Sequence, residues 1–329
     1  MPSVQPPERS SRVGIIAAFA AVYLIWGSTY LGIRYAIETL PPFFMASIRF
    51  IAAGLILFVW LRLSGASMPK WIHWRSGLIL GALLLVIGNG GVTWAEKTVP
   101  SGIAALLIAM VPVWVVVVDW LRPTGMRPTS PVILGLLFGL GGMFLLIGPG
   151  NLAGNNHINL LGALVLIIAA LSWSIGSVYS RHAELPDSPL MATAVEMLCG
   201  GLILFLISAL SGEWTQINLN LVSQRSLLAL AYLIIFGSII AFSCYVYLLK
   251  VTSPARASTY AYVNPVVAVL LGWAFANEPL TTRTILAAGI IVAAVIVIIT
   301  YRGRTAIEAV EKSGEGHVIE ADKLMEESA

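Results

Sequence analysis

Two ionisable side chains of this sequence, Arg49 and Glu196, lie inside long apolar stretches, and they hold the same place in two copies of one pattern. Residues 24 to 58 recur in weakened form at a constant offset of 147. Leu24 and Trp26 fall on Leu171 and Trp173, Pro42 on Pro189, and Gly54-Leu55-Ile56-Leu57-Phe58 on the same five residues at Gly201 to Phe205. That register sets Arg49 on Glu196. A charge among apolar groups needs compensation, either from a water-filled cavity where it meets a substrate or coupling ion, or from neighbouring helices that tie it structurally.

The elements that position them follow from composition. A chain of 329 residues with 58% hydrophobic and 11% charged side chains cannot cover a soluble globule with polar surface, so it is expected to be an all-α protein of the lipid bilayer. About 20 apolar residues cross a bilayer. On that rule ten transmembrane helices are expected, near 14–36, 43–63, 76–95, 101–121, 130–148, 159–180, 189–210, 226–249, 256–276 and 281–301. The apolar run after Arg9 and Arg12 is read as an uncleaved first span. With the N-terminus in the cytoplasm most Lys and Arg residues fall on the inside, so both termini are expected there. The chain divides into five-span repeats at 14–148 and 159–301 and a Glu-rich cytoplasmic tail at 302–329, read as disordered. An odd number of spans per repeat makes the second enter from the opposite face, so the repeats are inverted.

Each charged residue lies seven positions past its proline, which at about 1.5 Å per residue places it roughly 10 Å into the bilayer. They enter from opposite faces. Arg49 is therefore expected to serve the outer vestibule and Glu196 the inner one, as the candidate coupling group, without forming one ion pair. Pro112 and Pro265 sit within the fourth and ninth spans, where each removes a backbone hydrogen bond, and both are read as helix breaks beside a substrate site. Asn264, with Tyr260 nearby, strengthens the ninth span's case. Trp26, Ser28, Thr29 and Tyr30 in the first span echo Trp173, Ser177 and Tyr179 in the sixth. Small hydroxyl residues there suit either close helix packing or a cavity wall. Asn89 and Trp94 in the third span and Tyr245 in the eighth complete the candidate substrate-binding set, which would suit flat or apolar metabolites with polar ends. Asp119 and Glu278, near span ends, are read as snorkelling or capping groups.

Other chemistries find little support. The basic residues form no stripe for nucleic acid, the four histidines sit in loops or the tail without metal-ligand spacing, and no phosphate-cradling glycine loop is present. No metal or cofactor is expected, and the sequence leaves the oligomeric state unknown. An intramembrane enzyme would need a nucleophile and base, or His and carboxylates together at depth, where only Glu196 is found. A channel or a lipid-handling protein remains an alternative.

Trp26-Gly27-Ser28-Thr29-Tyr30, Pro41-Pro42 followed by Arg49-Phe50, Asn264-Pro265 and Glu278-Pro279-Leu280, in that order, resemble the drug/metabolite transporter superfamily and its EamA-type ten-span exporters. The resemblance spans about residues 14 to 301. It implies secondary or facilitative export of small metabolites, amino acids or related compounds, across the bacterial inner membrane by alternating access. One departure is plain: such proteins often carry a Glu ahead of the fifth span as well, and here that region reads Pro123-Thr124-Gly125-Met126-Arg127.

Overall fold

The computed structural model describes residues 12–123, 127–147, 159–252, 257 and 259–301. The tail, the join between the repeats at 148–158 and residues 124–126 lie outside them. Ten apolar helices run through the described chain: α1 (Arg12–Ala36), α2 (Pro42–Leu63), α3 (Trp71–Ala95), α4 (Ser101–Trp120), α5 (Ser130–Ile147), α6 (Leu160–Ser180), α7 (Pro189–Leu210), α8 (Gln224–Leu249), α9 (Tyr260–Ala276) and α10 (Thr282–Tyr301). Nine are at least 18 residues long and α9 has 17, the lower limit of what crosses a hydrocarbon core. Helix is the solution expected where backbone groups must be satisfied without water.

Local chemistry sets several starts. Pro42 and Pro189 open α2 and α7, where the missing N–H costs no intrahelical bond. Asn159 caps α6 by accepting from Gly162 N at 2.9 Å, and Ser223 caps α8 by accepting from Ser226 N at 3.1 Å. The third helix begins at Trp71, five residues before the start expected from hydropathy, because Trp71, His73 and Trp74 continue the helix beyond its apolar run.

Two interruptions matter. α4 is two half-helices, Ser101–Ile108 and Val111–Trp120, with Pro112 in the first turn of the second. α3 and α8 each widen into a π-helical stretch, Gly81–Gly90 and Leu233–Ile240, and these hold Gly88 and Gly237, which lie two residues out of the 147-residue register. Such stretches are rare, and often mark functional positions. Pro265 differs from the expectation: it lies inside an unbroken α9, in its second turn, so no helix break forms there.

The inverted repeats are swapped into one another. α1 packs on α8 and α9, while its counterpart α6 packs on α3 and α4. α2 lies along α7 and α4 against α9, so equivalent helices meet around the pseudo-two-fold axis. A Cβ on Gly54 would lie 3.0 Å from Leu198 Cγ and 3.1 Å from the Ala194 carbonyl oxygen, and one on Gly201 would lie 2.9 Å from Ile51 N. Ile51 and Leu198 are equivalent, so the repeated pentapeptide packs symmetrically across the crossing of α2 and α7.

Candidate functional site

The first helix brings its aromatic residue to the π-helical stretch of the other repeat. Trp26 Nε1 donates to the Gly237 carbonyl at 3.1 Å. Around its ring stand Tyr260 at 4.9 Å, Tyr245 at 5.3 Å and Phe242 at 5.4 Å between centroids, and Tyr245 and Tyr260 meet edge to face at 5.5 Å. All four rings are half-buried, so part of this aromatic wall stays accessible. Phe242 was not singled out in the sequence, because a phenylalanine in an apolar span is indistinguishable from core.

Next to this wall the polar groups converge. Arg49 is buried, yet its Nε donates to Ser238 Oγ at 2.9 Å, and the guanidinium lies 4.9 Å from the Phe50 ring centroid. Trp26 and Arg49 thus hold adjacent residues, Gly237 and Ser238, of one π-helical stretch. The Thr29 methyl also faces Gly237, where a Cβ would come within 3.0 Å of it. Ser28 Oγ hydrogen-bonds Tyr232 OH at 2.6 Å, and Thr29 Oγ1 donates to the Trp26 carbonyl at 2.6 Å. In the orientation that satisfies its amide, Asn264 donates to the carbonyls of Tyr23 at 3.2 Å and Tyr260 at 3.3 Å, fastening α9 to α1. Tyr23 OH also hydrogen-bonds Thr259 Oγ1.

The second copy is drier. The Trp173 ring faces Gly88, whose Cβ would lie 3.0 Å from Trp173 Cε3. Ser174 Oγ donates to the Val111 carbonyl at 3.1 Å, serving the backbone beside the interruption of α4. Ser177 turns back to the Trp173 carbonyl at 2.8 Å, and Tyr179 is half-buried towards the end of α6. Asn89 is half-buried in the π-helical stretch of α3, and Tyr30 and Trp94 pack against the main apolar core. Glu196 is half-buried; among the described residues its carboxylate has no hydrogen-bond partner, and its backbone lies against Gly77 and Gly81 of α3. The two ion pairs found among the described residues are Arg122–Asp119 at 3.5 Å and Arg225–Glu38 at 3.3 Å, so Arg49 and Glu196 are not joined.

One end of the bundle is tied by carboxylates that the second repeat lends to the first. Glu278 receives Ser101 N and Ser101 Oγ, both at 2.7 Å, and Gly102 N at 3.0 Å, capping the N-terminus of α4. Glu213 receives Phe44 N at 2.8 Å and Phe43 N at 3.2 Å, capping α2, and Ser208 Oγ at 3.0 Å. At the same end Arg34 donates to the Glu96 carbonyl at 2.7 Å and Tyr35 to the Phe275 carbonyl at 2.7 Å. Glu96 itself is fully buried at the close of α3, a position that sequence reading places in a short connecting loop.

Comparison with known proteins now bears on this geometry. The model of the EamA-like transporter family matches residues 12–148 and again 160–300. The uncharacterized inner membrane transporter YedA of Escherichia coli (strain K12) is 43% identical over 86% of this chain and 90% of its own length. The protein PecM of Dickeya dadantii is 26% identical over 83% of this chain and 88% of its own, and a chloroplastic WAT1-related protein of Arabidopsis thaliana is 26% identical over 84% of this chain and 67% of its own. A solved crystal structure superposes with a TM-score of 0.61 and 23% identity, covering 89% of this chain and all of the other, which shows a shared fold.

Proposed function

This chain belongs to the EamA-like transporter family, and from that premise we propose that it exports small metabolites, amino acids or related compounds, across the bacterial inner membrane by alternating access. The observation that carries this reading is the cross-seating of the repeats: each first helix docks on the π-helical third helix of the other repeat. A rocking of one repeat against the other then changes both docks at once. The half-buried wall of Trp26, Phe242, Tyr245 and Tyr260 receives an apolar or flat portion of the substrate, while Arg49 attracts an anionic group and Ser28, Thr29 and Asn264 orient polar ends. Trp173, Ser177 and Tyr179 of α6, Asn89 and Trp94 of α3 and Tyr30 of α1 complete the substrate-binding set from both repeats. Both termini face the cytoplasm, which puts the end tied by Glu278 on the outside. The deep Glu196 is one group through which export is coupled to protons, on the cytoplasmic side.

The direct test compares the extracellular and intracellular metabolites of cells that overproduce the protein with those of cells that lack it. Export predicts a compound that rises outside and falls inside on overproduction; equal levels in both strains refute it. Saturable flux of that compound in proteoliposomes separates a carrier from a channel. Cysteine pairs reporting both vestibules open at once would refute alternating access.

A further inference from the structure

Glu96 is fully buried, and among the described residues neither carboxylate oxygen has a hydrogen-bond partner. Its neighbours in sequence, Lys97 and Thr98, are exposed, so the chain turns this one polar side chain inward. The groups that act on it electrostatically come from separate elements: Arg34 and Tyr30 from α1, Arg49 from α2, and Glu278 from the turn before α10. The Glu278 carboxylate is already committed to three hydrogen bonds at the N-terminus of α4, so it offers Glu96 no donor, and two carboxylates near one another repel. Arg34 Nη1 is engaged by the Glu96 carbonyl at 2.7 Å, and Arg49 Nε by Ser238 at 2.9 Å. A buried carboxylate with no donor is among the least stable arrangements a protein interior offers, and the usual remedy is to bind a proton.

We propose that Glu96 is a proton-binding site of this transporter, occupied while the Glu278 end of the bundle is closed and emptied when that end opens to water. Once ionised, Glu96 needs a donor. Arg34, already on the Glu96 carbonyl, and Arg49, held by Ser238 of the π-helical stretch of α8, both have neutral partners, so loss of the proton draws these cations towards the carboxylate and couples proton release to the dock of α1 and α2. The site is distinct from Glu196, which is only half-buried on α7. The inference rests on the transport reading, and its test does not require the substrate.

Infrared spectra of the purified full-length protein in lipid nanodiscs at neutral pH provide that test. The wild type minus Glu96→Gln difference is expected to contain a carboxylic-acid C=O band that shifts in D2O and vanishes as the pH is raised, and the band is expected to persist in Glu278→Gln. No such band in the difference overturns the proposal. Glu96→Asp, which keeps the acid, is expected to restore a band, so a folding defect in Glu96→Gln cannot pass for a positive result. With the metabolite returned by the export screen, Glu96→Gln is expected to lose accumulation driven by a pH gradient while retaining substrate exchange. Gradient-driven accumulation at the wild-type level also overturns the proposal. A band without transport of any metabolite overturns only the transport reading.

Discussion

Trp26 and Trp173 occupy equivalent positions and each meets a glycine of a π-helical stretch, yet the two docks have diverged. Trp26 hydrogen-bonds the Gly237 carbonyl and gathers three further aromatic rings, with a buried arginine one residue along the same π-helical stretch. Trp173 meets Gly88 by shape alone, and the deep charge of its repeat, Glu196, has no partner among the described residues. The scaffold is present twice, and the aromatic and polar contacts are concentrated on one copy. The end carboxylates follow the same rule: Glu213 and Glu278 of the second repeat cap helices of the first, and no Glu stands ahead of the fifth span to return the contact.

The largest expected effect falls on what the repeats still share. Gly201→Leu drives a side chain against the α2 backbone at Ile51, an overpacking that costs about 3 kcal/mol or more; size-exclusion profiles are expected to show little folded protein. Gly141→Ala, with open space around it, is expected to behave as wild type. Glu278→Ala removes three hydrogen bonds at a helix N-terminus, and a loss of about 2 kcal/mol is expected, read as a lower thermal midpoint in detergent. The difference between the docks is sharpened by Trp26→Ala and Trp173→Ala: the first is expected to lower transport about tenfold or more, some 1.4 kcal/mol, and the second markedly less. Equal losses would mean that the docks are functionally alike. Arg225→Ala breaks a half-exposed pair with Glu38 and a contact over the Tyr35 ring, and is expected to cost about 0.5 kcal/mol.

Much of the scaffold was legible in the sequence because hydropathy and length decide which segments cross a bilayer, and the ten helices lie close to the expected spans. The boundary at Trp71 was missed because its tryptophans and histidine extend a helix past the apolar run. The interruption of α4 was legible from Pro112, but Pro265 misled: in a second turn a proline forfeits one backbone bond without ending the helix. Trp26, Tyr245, Tyr260 and Arg49 could be named as polar or aromatic residues at depth. That they converge on Gly237 and Ser238 could not, because the convergence depends on the swapped packing. Glu96 was hidden for the opposite reason. One residue beyond an apolar span, a glutamate reads as an interfacial group, and only the tertiary packing that covers its side chain makes it interior.

The Gly54 and Gly201 contact obeys the rule of an isologous interface, in which residue i of one subunit meets j of its partner and j meets i. Here both subunits are halves of one chain. A five-helix chain inserted in both orientations would make this contact with its own copy, so the crossing of α2 and α7 has the geometry a homodimer of one repeat would have. Two halves in one chain can differ where two copies of one chain cannot, and Arg49 opposite Glu196 in the register is such a difference.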